Sequence, residues 1–162
     1  MKKIMLFEQY IKEFVDNSKI QYEGLTLLEE KVKEIMMYIS TELSMGEDDL
    51  MDTYSEIENL PTFKKINDTV NTYFGTENSL YDNMNKLDIF IKEMREQYNM
   101  VGVTYDDKDI TTNIDFLVSE ITPLIISAIN KISGKHSDTT SEQEVEVYDT
   151  VLESLKTKKA KK

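Results

Sequence analysis

The sequence predicts an all-α, single-domain helical bundle of about six to seven helices. Apolar residues recur at every third or fourth position along most of the chain, which is the spacing of a helix with one buried face. The 162 residues suffice for one domain with a substantial core. The chain contains no cysteine, so neither disulfides nor cysteine-ligated zinc can stabilise it.

Four helices are expected in the first half of the chain, each with its own apolar stripe. The stripes are Ile4, Phe7, Ile11 and Phe14; Leu25, Leu28, Val32, Ile35 and Ile39; Leu50, Tyr54 and Ile57; and Phe63, Ile66 and Val70 with Tyr73 or Phe74. Gly46 and Gly75 are expected to end the second and fourth helices, because glycine readily adopts the left-handed conformation that closes a helix. Pro61 suits the first turn of the fourth helix, where no backbone N–H is needed.

Three helices are expected in the second half. Their stripes are Leu80, Met84, Leu87, Ile91, Met94 and Tyr98; Phe116, Leu117, Ile121, Leu124, Ile125, Ile129 and Ile132; and Val145, Tyr148, Leu152 and Leu155. The segment near 100–111 lacks this period and is expected to be irregular or extended. Thr112 and Ser141 each precede an acid by three residues, the spacing of capping pairs that would open the sixth and seventh helices. Pro123 is expected to kink or split the sixth helix, because proline removes a backbone donor.

The predicted organisation is a helical bundle domain at 1–134, a linker at 135–140, a C-terminal helix at 141–155 and a basic tail at 156–162. The second and fifth helices are each about 28 Å long at 1.5 Å per residue, and such matched helices favour near-antiparallel packing. Charge is unevenly distributed along the chain: the tail contains five lysines and no acidic residue. The net charge of −12 becomes −17 when its five lysines are left out.

Charge and composition argue against several classes of function. An acidic body repels nucleic acid and anionic membranes and attracts basic protein surfaces. Arg95 is the sole arginine, so the chain is poorly equipped to read bases or clamp phosphate. No run approaches the ~20 apolar residues that a membrane span requires. We therefore expect a cytoplasmic protein that binds a basic protein surface or itself, with no specific nucleic acid and no membrane.

Few residues are candidates for chemistry. His136 is the only histidine, and its polar surroundings predict an exposed loop side chain. The glycines are isolated, so no phosphate-binding loop and no cofactor are expected. The acidic segment 106–109 resembles part of a calcium loop. Thr112 and Val118 stand where such a loop needs glycine and glutamate, so a solvated helix entry is the better interpretation.

Acids on two neighbouring helices leave one enzymatic hypothesis open. Glu30 and Glu34 share a face of the second helix, and Asp49 and Asp52 share a face near the third. Such pairs could hold magnesium in a metal-dependent all-α nucleotide hydrolase. The first pair lies off the buried stripe, so exposed surface acids are the favoured interpretation, and no metal site is predicted.

Two sets of residues are predicted to contact a partner. The first is the cluster Met36, Met37 and Tyr38, which could line an adaptable groove or fill gaps in the core. The second is the basic tail, with Lys156, Lys158, Lys159, Lys161 and Lys162. The tail could be a frayed terminus, could dock onto an acidic surface, or could touch phosphate without specificity.

The leading functional hypothesis is a non-catalytic helical interaction or assembly protein, with a structural subunit of a phage or viral particle as its more specific form. Abundant Asn, Ile and Tyr beside a single arginine are typical of an AT-rich genome and suggest a phage, a virus or a low-GC bacterium as the source. The alternatives are an acidic regulator or DNA mimic that binds a basic protein surface, and the metal-dependent hydrolase.

Overall fold

The computed structural model describes residues 21–101, 108–134 and 142–160. Within these ranges the chain forms six helices and no strand, which confirms the predicted all-α class. The predicted first helix around 4–14, the linker at 135–140 with His136, and the acids at 106–107 lie outside the described residues.

The six described helices are numbered here in chain order. The first helix, α1, is described over 21–38 and continues as a π-helical turn at Ile39–Leu43. A 3-10 turn at Glu47–Asp49 leads into α2 at Leu50–Ile57, which is followed by α3 at Pro61–Phe74 and α4 at Leu80–Val101. α5 comprises Lys108–Asp115, a π-helical turn at Phe116–Ile121 and Thr122–Ile132, and α6 is Glu142–Ala160.

Local sequence signals explain most of the helix ends. Pro61 lies in the first turn of α3, and Gly75 closes that helix at φ 66°, as predicted. Gly46 also has a positive φ, 147°, but the prediction that it ends α1 was wrong by a few residues. The helix ends at Leu43, and Ser44 follows in an extended conformation with its hydroxyl bonded to the backbone of Gly46.

The stretch between α4 and α5 differs from the prediction at both ends. Both ends of the segment 100–111, predicted to be irregular, are helical, because α4 reaches Val101 and α5 begins at Lys108. Thr112 therefore lies inside α5 and does not cap it. The mostly polar residues at 108–113 fit a helix here because only one side of it faces the core, where Ile114 is fully buried and Ile110 packs against the core.

Pro123 neither ends nor splits α5. The helix changes from α to π hydrogen bonding over Phe116–Ile121, so Pro123 occupies the first turn of the α-helical part that follows. The Thr122 backbone N–H and hydroxyl both bond to the carbonyl of Leu117. A π-helical turn thus accommodates the proline without a helix break.

One apolar core runs through all six helices. Its members include Leu28, Ile57, Ile66, Ile91, Ile125 and Tyr148. Between Phe116 and Ile132 only Ser119, Glu120 and Pro123 are exposed, so this half of α5 lies deep in the bundle, as its apolar composition predicted.

α1 and α4 pack in opposite directions. Tyr22 near the start of α1 contacts Tyr98 near the end of α4, at 5.1 Å between ring centroids. Glu29, further along α1, forms an ion pair with Arg95, which precedes Tyr98 on α4. The predicted antiparallel arrangement is confirmed. The hydrogen bond from Lys33, together with Arg95, holds the pKa of the Glu29 carboxyl below its usual value. The sole arginine thus forms an ion pair between two helices of the bundle.

α3 and α4 run in the same direction despite the short connection between them. The chain after Gly75 turns back along α3, so that Asn83 donates to the side chains of Asn67 and Asn71 in the middle of that helix. The same offset of 16 residues brings Phe90 onto Phe74. Asn83 is fully buried, and this amide network fixes the start of α4.

α5 is the one described helix whose length and mean hydropathy would suffice to cross a membrane, over Asp109–Ile132. A core helix of a globular protein satisfies the same criteria, and in this fold several apolar side chains of α5 face the other helices. The buried residues of α5 are Ile114, Phe116, Leu117, Ile121, Thr122, Ile125, Ala128, Lys131 and Ile132.

Candidate functional site

The first half of α6 is anchored in the bundle by a buried aromatic side chain. Tyr148 is 0% exposed, and its hydroxyl accepts a hydrogen bond of 2.8 Å from the backbone N–H of Thr62 in the first turn of α3. Burial raises the pKa of Tyr148, so the ring stays neutral. Lys131 at the end of α5 lies 5.5 Å from this ring and pairs with Glu144, which adds a second anchor.

The second half of α6 is held by weaker, more exposed contacts. Leu152 and Leu155 are buried, whereas the Nζ of Lys158 lies 2.5 Å from the Oε1 of Glu56 on α2 with both side chains partly in solvent. This hydrogen bond, with the charges of Asp49 and Asp52, raises the pKa of Lys158. α6 continues to Ala160, so the residues predicted to start a basic tail are helical.

A cleft of about 410 Å³ lies between the end of α5 and the outer side of α6; we call it the α5–α6 cleft. Its apolar floor consists of Ile132 and Leu152, and its rim carries Asp149, Glu153 and Lys156. An apolar floor with a charged rim is the usual composition of a protein-binding surface.

A second cleft, of about 170 Å³, adjoins the first; we call it the α1–α5 cleft. Tyr38 and Glu34 line it from α1, and Ile129 lines it from α5. Ile132 and Ser133 line both clefts. The two clefts therefore meet at the end of α5, one on the side of α1 and the other on the side of α6.

A third cleft, of about 290 Å³, lies where α2 meets the end of α6; we call it the α2–α6 cleft. Leu43 and Leu155 contribute apolar surface, and Asp49, Asp52 and Glu56 contribute three carboxylates. Lys158 lies in this cleft. The α5–α6 and α2–α6 clefts therefore border α6, whereas the α1–α5 cleft is lined by residues of α1 and of the end of α5.

The predicted methionine–tyrosine cluster does not form one groove. Met36 and Tyr38 are partly buried and pack on opposite sides of the core stripe of α1, while Met37 between them is 65% exposed. Consecutive residues of a helix point in different directions, so three neighbours cannot share a face. Of the three, Tyr38 lines a described cleft.

The structure places the predicted lysines in different surroundings. Lys156 is exposed and lines the α5–α6 cleft, and Lys158 lies in the α2–α6 cleft. The backbone of Lys159 is helical, and nothing is described of its side chain. Lys161 and Lys162 lie outside the described residues.

The acids weighed as metal ligands have other surroundings. Glu30 is exposed, and Glu34 pairs with Lys31 one turn away. Asp49 and Asp52 line the α2–α6 cleft beside Lys158. Among the described residues, no group of three or more histidine, cysteine or acidic side chains is arranged to hold a metal ion.

The sequence did not predict the roles of three residues: the buried Tyr148, and Ile132 and Ser133 between the two clefts. Tyr148 was predicted as core, but its bond to α3 has no local sequence signal. Ile132 and Ser133 end α5, and their position between two clefts depends on how α1 and α6 pack against that end. The one sequence feature that could have indicated this position is Ser133, a small polar residue that follows a long apolar helix.

The chain matches no protein-family model, and neither a curated protein nor a solved structure shows significant similarity to it.

Proposed function

We propose that this protein is a non-catalytic helical interaction or assembly protein that binds a protein partner through the α5–α6 and α1–α5 clefts at the end of α5. The observation that carries the proposal is the continuous pair of clefts on either side of Ile132 and Ser133. A groove of this kind, with apolar floor and polar rim, suits a helix or an extended segment of another protein.

The charge of this surface favours a basic partner. On the exposed face of α6, Glu142, Glu146, Asp149 and Glu153 follow one another at intervals of four, three and four residues, so they form one acidic stripe. The net charge of −12 adds a long-range attraction to basic proteins and a repulsion between copies. A heterologous basic partner is therefore favoured over self-association. An acidic regulator that occupies a basic site is the second candidate, and the same stripe supports it.

The proposal is tested by comparing partner recovery for two variants that add the same positive charge to α5. Ser133→Arg fills the point where the two clefts meet, whereas Ser119→Arg changes an exposed position of the same helix that lines none of the described clefts. The wild-type chain and each variant serve as bait in native extracts of the source, and the recovered proteins are quantified by mass spectrometry.

We expect the wild type and Ser119→Arg to recover the same specific protein and Ser133→Arg to lose it at least tenfold, because the arginine side chain fills the place where the clefts meet and its charge opposes a basic partner. Equal recovery by both variants would move the binding surface elsewhere and refute the assignment to these clefts. A wild-type chain that recovers no specific protein, and remains monomeric by light scattering at high concentration, would overturn the interaction function itself.

A further inference from the structure

The α2–α6 cleft already contains a lysine side chain from a distant part of the sequence. Lys158 reaches Glu56 across 102 positions of the chain, and its Nζ lies 2.5 Å from the carboxylate. Leu155, one turn before Lys158, and Leu43 form apolar surface in the same cleft. Apolar contacts for the methylene stem and a carboxylate for the ammonium group are the two features that a lysine site needs.

The negative charge of the α2–α6 cleft is greater than the positive charge that Lys158 supplies. Asp49 and Asp52 lie beside Glu56, so one described ammonium group faces three carboxylates. The side chain of Lys158 is 56% exposed and that of Glu56 is 34% exposed. An ion pair this open contributes little to stability, so another cation can replace it.

We propose that the α2–α6 cleft is a lysine-binding site for a basic segment of a protein partner, and that Lys158 is a built-in competitor that occupies it in the free chain. This inference rests on the proposed interaction function and specifies the chemistry of one contact. Charge complementarity carries it: the cleft is acidic, the body around it is acidic, and the group that already sits there is a lysine ammonium. Displacement of Lys158 would loosen the end of α6 beyond the buried Leu155, while the buried Tyr148 keeps the first half of the helix in place.

The test measures binding of a lysine-rich probe to the full-length chain. The probe is a fluorescein-labelled peptide with the sequence of residues 154–162, and its anisotropy is followed at low ionic strength. Lys158→Gln empties the cleft, so we expect it to bind the probe about two- to fivefold tighter than the wild type, the range that corresponds to an exposed ion pair. Adding Glu56→Gln to this variant should reverse the gain.

Lys156→Gln is the matched control, because it removes the same charge from the same helix but lines the α5–α6 cleft. An equal gain in Lys156→Gln and Lys158→Gln would show that net charge alone attracts the probe, and the proposal would be overturned. The same holds if Glu56→Gln leaves the gain intact, or if Lys158→Gln binds no tighter than wild type.

An independent arm needs no probe. Glu56→Gln in the otherwise native chain should speed amide hydrogen exchange in the last turns of α6 and leave exchange around Tyr148 unchanged. Unchanged exchange throughout α6 would contradict the role of Lys158 as an occupant. These outcomes are separable from the proposed function, because the Ser133→Arg comparison concerns the other two clefts and does not depend on Lys158.

Discussion

Replacing Tyr148 by phenylalanine tests how α6 is joined to the bundle. Thr62 is the second residue of α3, so its backbone N–H has no partner within that helix, and the Tyr148 hydroxyl is the acceptor at 2.8 Å. Both residues are buried. Tyr148→Phe keeps the ring but removes this acceptor, and leaves a buried donor unsatisfied. The expected loss is about 2 kcal/mol of unfolding free energy, which lowers Tm by roughly 4–8 °C for a chain of this size.

The assay is urea denaturation followed by circular dichroism, with Tyr38→Phe as control. The control removes the same hydroxyl from a half-buried ring on the surface of α1. It should change the midpoint far less, and Tyr148→Phe should also speed hydrogen exchange at Thr62. Equal midpoints for Tyr148→Phe and the wild type, or a loss no larger than that of the control, would refute the claim that α6 caps α3.

Two further predictions concern α1. Gly24→Ala should destabilise the fold by about 1 kcal/mol, because the added Cβ would lie 2.8 Å from a methyl group of Val118, and the crowding outweighs the gain in helix propensity. In a Val118→Ala background, Gly24→Ala should stabilise the fold. Thermal melts of the wild type, the two single variants and the double variant measure both effects, and equal effects of Gly24→Ala in both backgrounds would contradict the close contact. Glu29 has a lowered pKa in the folded state, so its stabilisation is present above its unfolded value of 4.5 and is lost as pH falls through the lower folded value. Glu29→Gln should therefore flatten the fall in unfolding free energy below pH 4.5, and a slope equal to that of the wild type would contradict this role of Glu29.

Local patterns predicted the helices well and their ends less well. The stripe from Leu25 to Ile39 is fully buried, and Pro61 and Gly75 stand where their backbone preferences placed them. Pro123 does not split α5, because the π-helical turn before it absorbs the missing donor, and the formation of that turn depends on the packing around it. The other predicted outcome, a kink, stays a prediction. The prediction that Gly46 ends α1 was wrong because the helix stops at Leu43, before any residue with a strong preference for ending a helix.

The candidate surface was predictable in part. Tyr38, Lys156 and Lys158, which were predicted as partner-binding residues, each line one of the three clefts, and their contact with a partner stays a prediction. Their neighbours could not be inferred, because Ser133 and Glu56 become relevant only when α5 and α2 are packed against α6.

Apolar spacing along the sequence was sufficient to predict a helical bundle and most of the side chains in its core, because both depend on residues three or four positions apart. Leu60, Ile114 and Ala128 are buried although they belong to no predicted stripe. The tertiary structure alone decided which polar groups meet. The bond from Thr62 to Tyr148 spans 86 positions and the pair of Glu56 and Lys158 spans 102. Contacts at such separations depend on the direction and rotation of whole helices, and a local pattern carries no information about either.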